Sequence, residues 1–324
     1  MGLIHPGLFM ETTPVCGPEK QPRLVLFGAQ GFISKLLQSS ARPHWETLAL
    51  GRPDFDLENP KCIPHLQTVL RETDHVVFLS ARTPEHGRSE EAQQRNIRMF
   101  ENAAQALMHR GFAHLSYLSS DAVYAWIEEP VTERSPIAPS DPYGKMHAHR
   151  EELAAALAQQ CRRPLAILRP AAVHGPADTH NAYGPNRLIR EARDSQTLTL
   201  FGEGEEIRAH LWEENCVNWL LEASKTRLEG TLNVTPREAV SFLQLAEHLR
   251  AVISPTLRII HAERRQPITH RRFDPTLREH LWPHLPPLPL RESLHLHWNR
   301  MRFAPARSPS FGTQPLTAAE TTDS

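Results

Sequence analysis

Short runs of uninterrupted apolar residues alternate with longer stretches of helical composition through the first half of the chain. RLVLFG (23–28), TLAL (47–50), HVVFLS (75–80), SYLSS (116–120) and LAILRP (165–170) each predict a strand. A strand that is apolar at every position is buried on both faces, whereas one with a wet face alternates. Between these runs, 90–110 and 142–160 suit crossover helices, the second being rich in Ala, Glu, Leu and Gln. Strands and helices in this alternation predict a parallel sheet covered on both faces. After Pro170 the pattern is mixed. The short strands TLTLFG, RAHLW and TLNVT alternate with helices at 214–223 and 241–252. This reads as a smaller lobe at the carboxyl edge of the sheet, where open parallel sheets bind their ligands.

Gly28-Ala29-Gln30-Gly31-Phe32-Ile33 directly follows the first strand and opens a helix. Glycines at the tight positions let backbone approach a pyrophosphate, and the helix N-terminus adds free N–H groups and a positive dipole end. The ordinary alternative is a plain strand-to-helix turn. With this bend the expected class is α/β: a Rossmann-like, doubly wound parallel sheet over 22–175. A smaller mixed C-terminal substrate lobe follows over 176–303, with room for its elements to return to the sheet.

Composition narrows the functions. A chain of 324 residues can bury a large core. A net charge of −1, with both signs mixed, provides no basic field for nucleic acid or an anionic membrane. Residues 1–21 contain Pro6, Pro14 and Pro18 without periodicity and read as a flexible leader. Residues 304–324 are polar and Pro/Ser/Thr-rich and read as a disordered tail. No apolar signal region or 18-residue apolar run occurs, so a soluble, cytoplasmic protein is expected. Cys16, Cys62, Cys161 and Cys216 have no C-x-x-C spacing and read as free thiols. The closest histidine pairs, His147/His149 and His295/His297, have no acidic or Cys partner at ligand spacing. No metal site is expected there.

The segments FGAQGFIS, DFDLENP, FLSAR, LSYLSSDAVYA, PYGKMHAHRE, LRPAAVHGP and LFGEGEEIRAHLWEENCV occur in order. Together they resemble the extended short-chain dehydrogenase/reductase family, which includes the NAD-dependent sugar epimerases, dehydratases and reductases. The match runs from about residue 23 to 235, and more loosely to about 300. The resemblance implies a nicotinamide dinucleotide held by Gly28, Gln30, Gly31, Phe32, Ile33, Arg52, Asp56, Leu57, Ser80, Ala81, Asn96, Tyr143, His147 and Pro170. The second strand ends in Leu50-Gly51-Arg52 rather than in an acid. A guanidinium there suits a 2′-phosphate, so NADP is favoured over NAD, the alternative being a solvated arginine.

By the same resemblance Ser120 is the hydroxyl that polarises the reacting oxygen and Tyr143 is the acid/base. A phenol of ordinary pKa near 10 is a poor base at neutral pH, so a cation must stabilise its phenolate. The family places a lysine four residues on, on the same helix face. Here that residue is His147, and Lys145 points elsewhere. YGxMH in place of YGxSK looks like a distinct subgroup. An ordinary imidazole is only about a quarter protonated at pH 7. Three readings follow: His147 works as a substitute, with a raised pKa; turnover is modest; or the redox step is lost and the chain is a dinucleotide-binding sensor or scaffold. Ser34, at the usual third glycine, is small enough to pack there.

On the substrate side the resemblance assigns Ser120, Asn186, Arg187, Arg208 and Arg271 to a nucleoside diphosphate sugar, Arg272 being the rival to Arg271. Arginine forks match phosphate oxygens, and the alternative for each is a surface ion pair. His180, Asn181, Ala182 and Tyr183 are candidate sugar contacts, and His174 takes the place of the family's tyrosine in VYGP. Ala209 replaces an aspartate, with Glu213-Glu214 one turn on. Asp121-Ala122 holds half of the dehydratases' acid pair, which disfavours dehydration. The expected partners are a nucleotide-sugar substrate and, at most, a second copy in a homodimer.

Overall fold

The computed structural model describes residues 21–82, 89–178 and 184–303. The leader, the tail, Cys16 and the candidate sugar contacts at 180–183 lie outside them. The chain runs β1 (Arg23–Phe27), α1 (Phe32–Ala41), β2 (Glu46–Leu50), α2 (Cys62–Val69), β3 (His75–Phe78), α3 (Glu90–Arg110) and β4 (His114–Leu118). A 3₁₀ turn (Asp121–Val123), α4 (Pro142–Cys161), β5 (Leu165–Pro170), β6 (Ala172–His174) and α5 (Gly184–Ser195) follow. The rest is β7 (Thr197–Phe201), β8 (Ile207–Trp212), α6 (Glu213–Thr226), β9 (Gly230–Val234), β10 (Ala239–Ser241), α7 (Phe242–Val252), β11 (Arg258–Ala262), α8 (Thr276–Leu281) and α9 (Leu290–Met301).

The main sheet has six strands in the order β2-β1-β3-β4-β5-β9, all parallel. β1 shows why its sequence carries no polar alternation. Val25 and Phe27 point into one core with Phe78, Phe100, Leu107 and Leu157, against α2, α3 and α4. Leu24 and Leu26 point into the other with Leu37, Val217, Trp219 and Leu220, against α1 and α6. The strand order reverses at β1 and β3, the switch point at which open α/β sheets bind ligands.

The region beyond Pro170 is divided between the main sheet and a smaller lobe. TLNVT does not stay in a separate lobe: β9 is the sixth strand of the main sheet, and α6 covers that sheet beside α1. A parallel strand needs a crossover, and α6 supplies it. The smaller lobe is left with β10-β8-β6 and β11-β7, plus α5, α7 and α9 packed around Leu188, Leu198, Leu245 and Leu294. Val123, Tyr124, Val131, Ala171, Ala209 and Phe273 form the seam between the lobe and the main sheet.

Candidate active site

The bend after β1 is shaped by close approach. Gly28 has φ 111°, and a Cβ there would stand 2.8 Å from Ser80 N at the end of β3. Its N–H donates to Leu50 O at 2.8 Å, tying the bend to β2. Gly31 caps α1 without a side-chain bond, no acid sits in the first turn, and nothing lies within 4 Å of where its Cβ would be. Free helix N–H groups thus face open space, which fits a dinucleotide pyrophosphate. Gln30 is exposed, Phe32 half-buried, and Ile33 and Ser34 pack into the core. Arg52 is exposed just past β2, Asp56 is exposed, and Leu57 is core, its carbonyl accepting from Asn102 Nδ2. Ser80 and Ala81 stand half-buried beyond β3, and Pro170 ends β5. Asn96 is buried, and its amide spans Arg82 N and O at 2.7 and 3.1 Å, so it shapes the loop after β3.

Tyr143 and Ser120 are brought together by the start of α4. Asp141 caps this helix through Gly144 N at 2.7 Å, and Pro142 occupies its first turn. Gly144 is needed because a Cβ would collide with Ala122 O and Pro139. That contact sets the helix against the 3₁₀ turn, which Ser120 caps by accepting from Ala122 N at 3.2 Å. Beneath it, Ser119 donates to Glu151 at 2.5 Å. Glu151 is paired with Arg169, which donates to Tyr124, which in turn donates to Asn233 Oδ1 at 2.7 Å. This buried network ties the carboxyl ends of β4, β5 and β9 to the middle of α4.

A cavity of about 490 Å³ opens there. Ser120 and Tyr143 line it together with Asp121, Arg187, Arg208 and Arg271. Burial pushes the Tyr143 phenol up to about 12, with Arg150 opposing and Asp121 and Asp141 reinforcing. Burial also raises Asp121, against the pull of Arg271 and Arg208. The arginines are well anchored. Arg187 pairs with Glu191 at 2.5 Å and lies over Phe201. Arg208 is held by the Thr269 hydroxyl at 2.8 Å. Arg271 is buried; its terminal nitrogens donate to the carbonyls of Ala125 and Tyr124, and its Nε lies 4.0 Å from Asp121. Both Arg208 and Arg271 stack on Trp126.

Not every candidate reaches this cavity. Asn186 is buried; its Oδ1 accepts from Gly175 N at 3.2 Å and its Nδ2 donates to Asp178 at 2.5 Å. His174 is buried against His297 and Ser293 in the smaller lobe. Glu213 is pushed up to about 7 by burial and faces Gly175 and Arg300, while Glu214 pairs with Arg300 at 2.7 Å. Arg272 follows Arg271 as an exposed residue.

His147 lies under Tyr143, the rings edge-on with centroids 4.6 Å apart, while Lys145 is exposed. A raised imidazole pKa is overturned: burial and the nearby Arg150 bring it down to about 3. His147 is therefore neutral at physiological pH. Its Nδ1 bonds the Tyr117 hydroxyl at 2.7 Å, and its Nε2 is buried without a partner. An orphaned nitrogen beside the phenol fits a cofactor ribose hydroxyl. Sequence reasoning missed Trp126 and His210, both on the cavity wall. It also missed Arg150, although the i, i+4, i+7 spacing from Tyr143 through His147 was a readable signal.

Fold and site together define a doubly wound α/β protein with an open glycine bend after β1 and a cation-rimmed cavity beside a serine and a tyrosine. The profile of the NAD dependent epimerase/dehydratase family matches residues 24–234, more than half of the chain, and the chain belongs to that family. It is 27% identical over 152 residues to the uncharacterized UDP-glucose epimerase YtcB of Bacillus subtilis (strain 168), covering 46% of this chain and 48% of that protein. It is 23% identical over 288 residues to GDP-mannose 3,5-epimerase 1 of Oryza sativa subsp. indica, covering 80% and 76%. The chain spans about half the length of the first of these relatives. Among solved structures, RMD from Pseudomonas aeruginosa complexed with NADPH superposes with a TM-score of 0.76 at 22% identity, covering 87% of this chain and 99% of that one. UDP-glucose 4-epimerase from Thermotoga maritima with UDP-glucose gives 0.76 at 18%, covering 86% and 98%. These likenesses carry the fold. Among the described residues no helix is long and apolar enough to cross a membrane.

Proposed function

We propose that this chain binds a nicotinamide dinucleotide across the bend at Gly28–Ile33 and acts by hydride transfer on a nucleoside diphosphate sugar, as an epimerase or reductase. One observation carries the reading: Ser120 and Tyr143 line one cavity together with Arg187, Arg208 and Arg271. A hydroxyl pair placed to move a proton, beside cations suited to a diphosphate, is what that chemistry requires. The relatives' names support the substrate class, since they are a UDP-glucose epimerase and a GDP-mannose epimerase. When bound, the dinucleotide supplies the hydride acceptor or donor. Ser120 holds the reacting oxygen, Tyr143 takes or returns its proton, and the neutral His147 Nε2 orients a ribose hydroxyl. Arg187, Arg208 and Arg271 hold the diphosphate. Asp121 has no acidic neighbour at 122, which favours epimerisation or reduction over dehydration.

The exposed Arg52 past β2 supports NADP over NAD. Equal discrimination between the two cofactors before and after Arg52→Ala would remove that argument.

A second reading is favoured by the neutral His147 and by the high phenol pKa at Tyr143. It holds the dinucleotide without turnover, as a sensor or scaffold. Purified protein is assayed for co-purified nicotinamide and for turnover of UDP-, GDP- and dTDP-sugars. Loss of turnover in Tyr143→Phe supports the enzyme. Turnover unchanged by Tyr143→Phe refutes the assigned chemistry. Tight cofactor binding without turnover, with activity gained in His147→Lys, selects the scaffold.

A further inference from the structure

Arg150 is completely buried on α4, three residues past His147 and seven past Tyr143, so the three share one helix face. Its guanidinium lies over the Phe78 ring at 5.1 Å. Nη1 donates to Ser80 O at 2.8 Å and Nη2 donates to Asn96 O, both neutral acceptors at the end of the predicted cofactor groove. No carboxylate pairs with it among the described residues, because the adjacent Glu151 is taken by Arg169. A buried charge without a counter-ion is costly. The acidic groups that act on it are two phenols, Tyr117 and Tyr143.

We propose that Arg150 supplies the cation missing at position 147, its buried charge drawing the proton from the Tyr143 phenol. The proposal rests on the reading of Tyr143 as acid/base. Arg150 touches neither substrate nor reacting atoms, so it is a positioning residue, and it acts by two routes. One is direct attraction for the phenolate along the helix face. The other passes through Tyr117. The Arg150 charge lowers the Tyr117 phenol against its burial, and the Tyr117 hydroxyl stands 2.7 Å from His147 Nδ1, the acceptor within reach of its proton. With Nδ1 accepting from Tyr117, the imidazole proton sits on Nε2, the buried nitrogen without a partner. The other groups facing Tyr143 do not substitute. Asp121, from the 3₁₀ turn, and Asp141, from the helix cap, hold the proton on. His147 is neutral, Tyr117 is a phenol pushed up by burial, and Arg271 is engaged with Asp121. Lys145 points to solvent.

The test is a titration of the full chain with a fluorinated tyrosine in place of Tyr143, read by its ¹⁹F shift. Ring fluorination lowers the phenol's own pKa, so the midpoint is reached at lower pH. Arg150→Met is expected to raise the midpoint by about one pH unit, and Arg150→Lys by a few tenths at most. Adding His147→Lys to Arg150→Met should bring the midpoint back down. An unmoved midpoint in a folded Arg150→Met variant overturns the proposal. So does an Arg150→Lys midpoint shifted by a full unit, which also decides the matter if Arg150→Met fails to fold. The titration needs no substrate, so it stays readable even if the nucleotide-sugar reading fails.

Discussion

Replacing Gly144 with alanine sets two elementary effects against each other. Helix propensity alone favours alanine by about 1 kcal/mol. The structure places Ala122 O and Pro139 where the new Cβ must go, and the first of these is backbone that cannot swing aside. Relief requires α4 and the 3₁₀ turn to part by roughly an ångström, and overpacking of this kind costs about 1–3 kcal/mol. The balance is a net loss of up to about 2 kcal/mol, a fall in Tm of several degrees for a chain of this size. The same displacement separates Tyr143 from Ser120, and misplacement of about 1 Å at reacting groups costs on the order of 10²-fold in rate. Thermal melts followed by circular dichroism measure the first effect, and nucleotide-sugar turnover measures the second. A variant that melts higher than wild type, with turnover intact, would falsify the close approach on which the site geometry depends.

Gly31→Ala gives the opposite contrast. Open space surrounds the new Cβ, so Tm should hold within about a degree, while dinucleotide affinity falls if the pyrophosphate lies over the bend; unchanged affinity would place the cofactor elsewhere. Glu151→Gln leaves Arg169 charged and buried without its carboxylate and should cost about 3–5 kcal/mol in urea unfolding. A cost below about 1 kcal/mol would mean the pair is solvated. Acid should destabilise the fold, because six buried histidines hold pKa values below the ordinary 6.5. Burial is the main cause at each: His114 is lowered to about 4, His147, His210 and His297 to about 3, and His75 and His174 are also lowered. Between about pH 6.5 and 3 the unfolded chain binds more protons, so stability is lost as the pH drops through that window, by at most about 1.4 kcal/mol per unit per histidine. Glu213, raised from 4.5 to about 7, opposes this over its own interval. A melting temperature that is flat from pH 7 to pH 4 would contradict the neutral burial of these rings.

Much of the fold was legible because local chemistry and tertiary role coincide. Five uninterrupted apolar runs are strands because both faces of a parallel sheet are dry. The bend at Gly28–Gly31 and the cap at Asp141-Pro142 declare a strand-to-helix turn and a helix start from residues adjacent in sequence. Ser120 and Tyr143, which the fold brings to one cavity, each stand in a local motif that singles them out in the sequence. What tertiary structure decided was partnership across distance. TLNVT reads as a short strand anywhere, and only β5 beside it makes it the sixth strand of the main sheet. Nothing local separates Asn186, absorbed by Gly175 and Asp178, from Arg208, which lines the cavity. The charge state of His147 could not be read from its type, because a pKa is set by the surroundings. Burial keeps this imidazole neutral, and one turn further along the helix it encloses the Arg150 guanidinium, which has no carboxylate partner among the described residues.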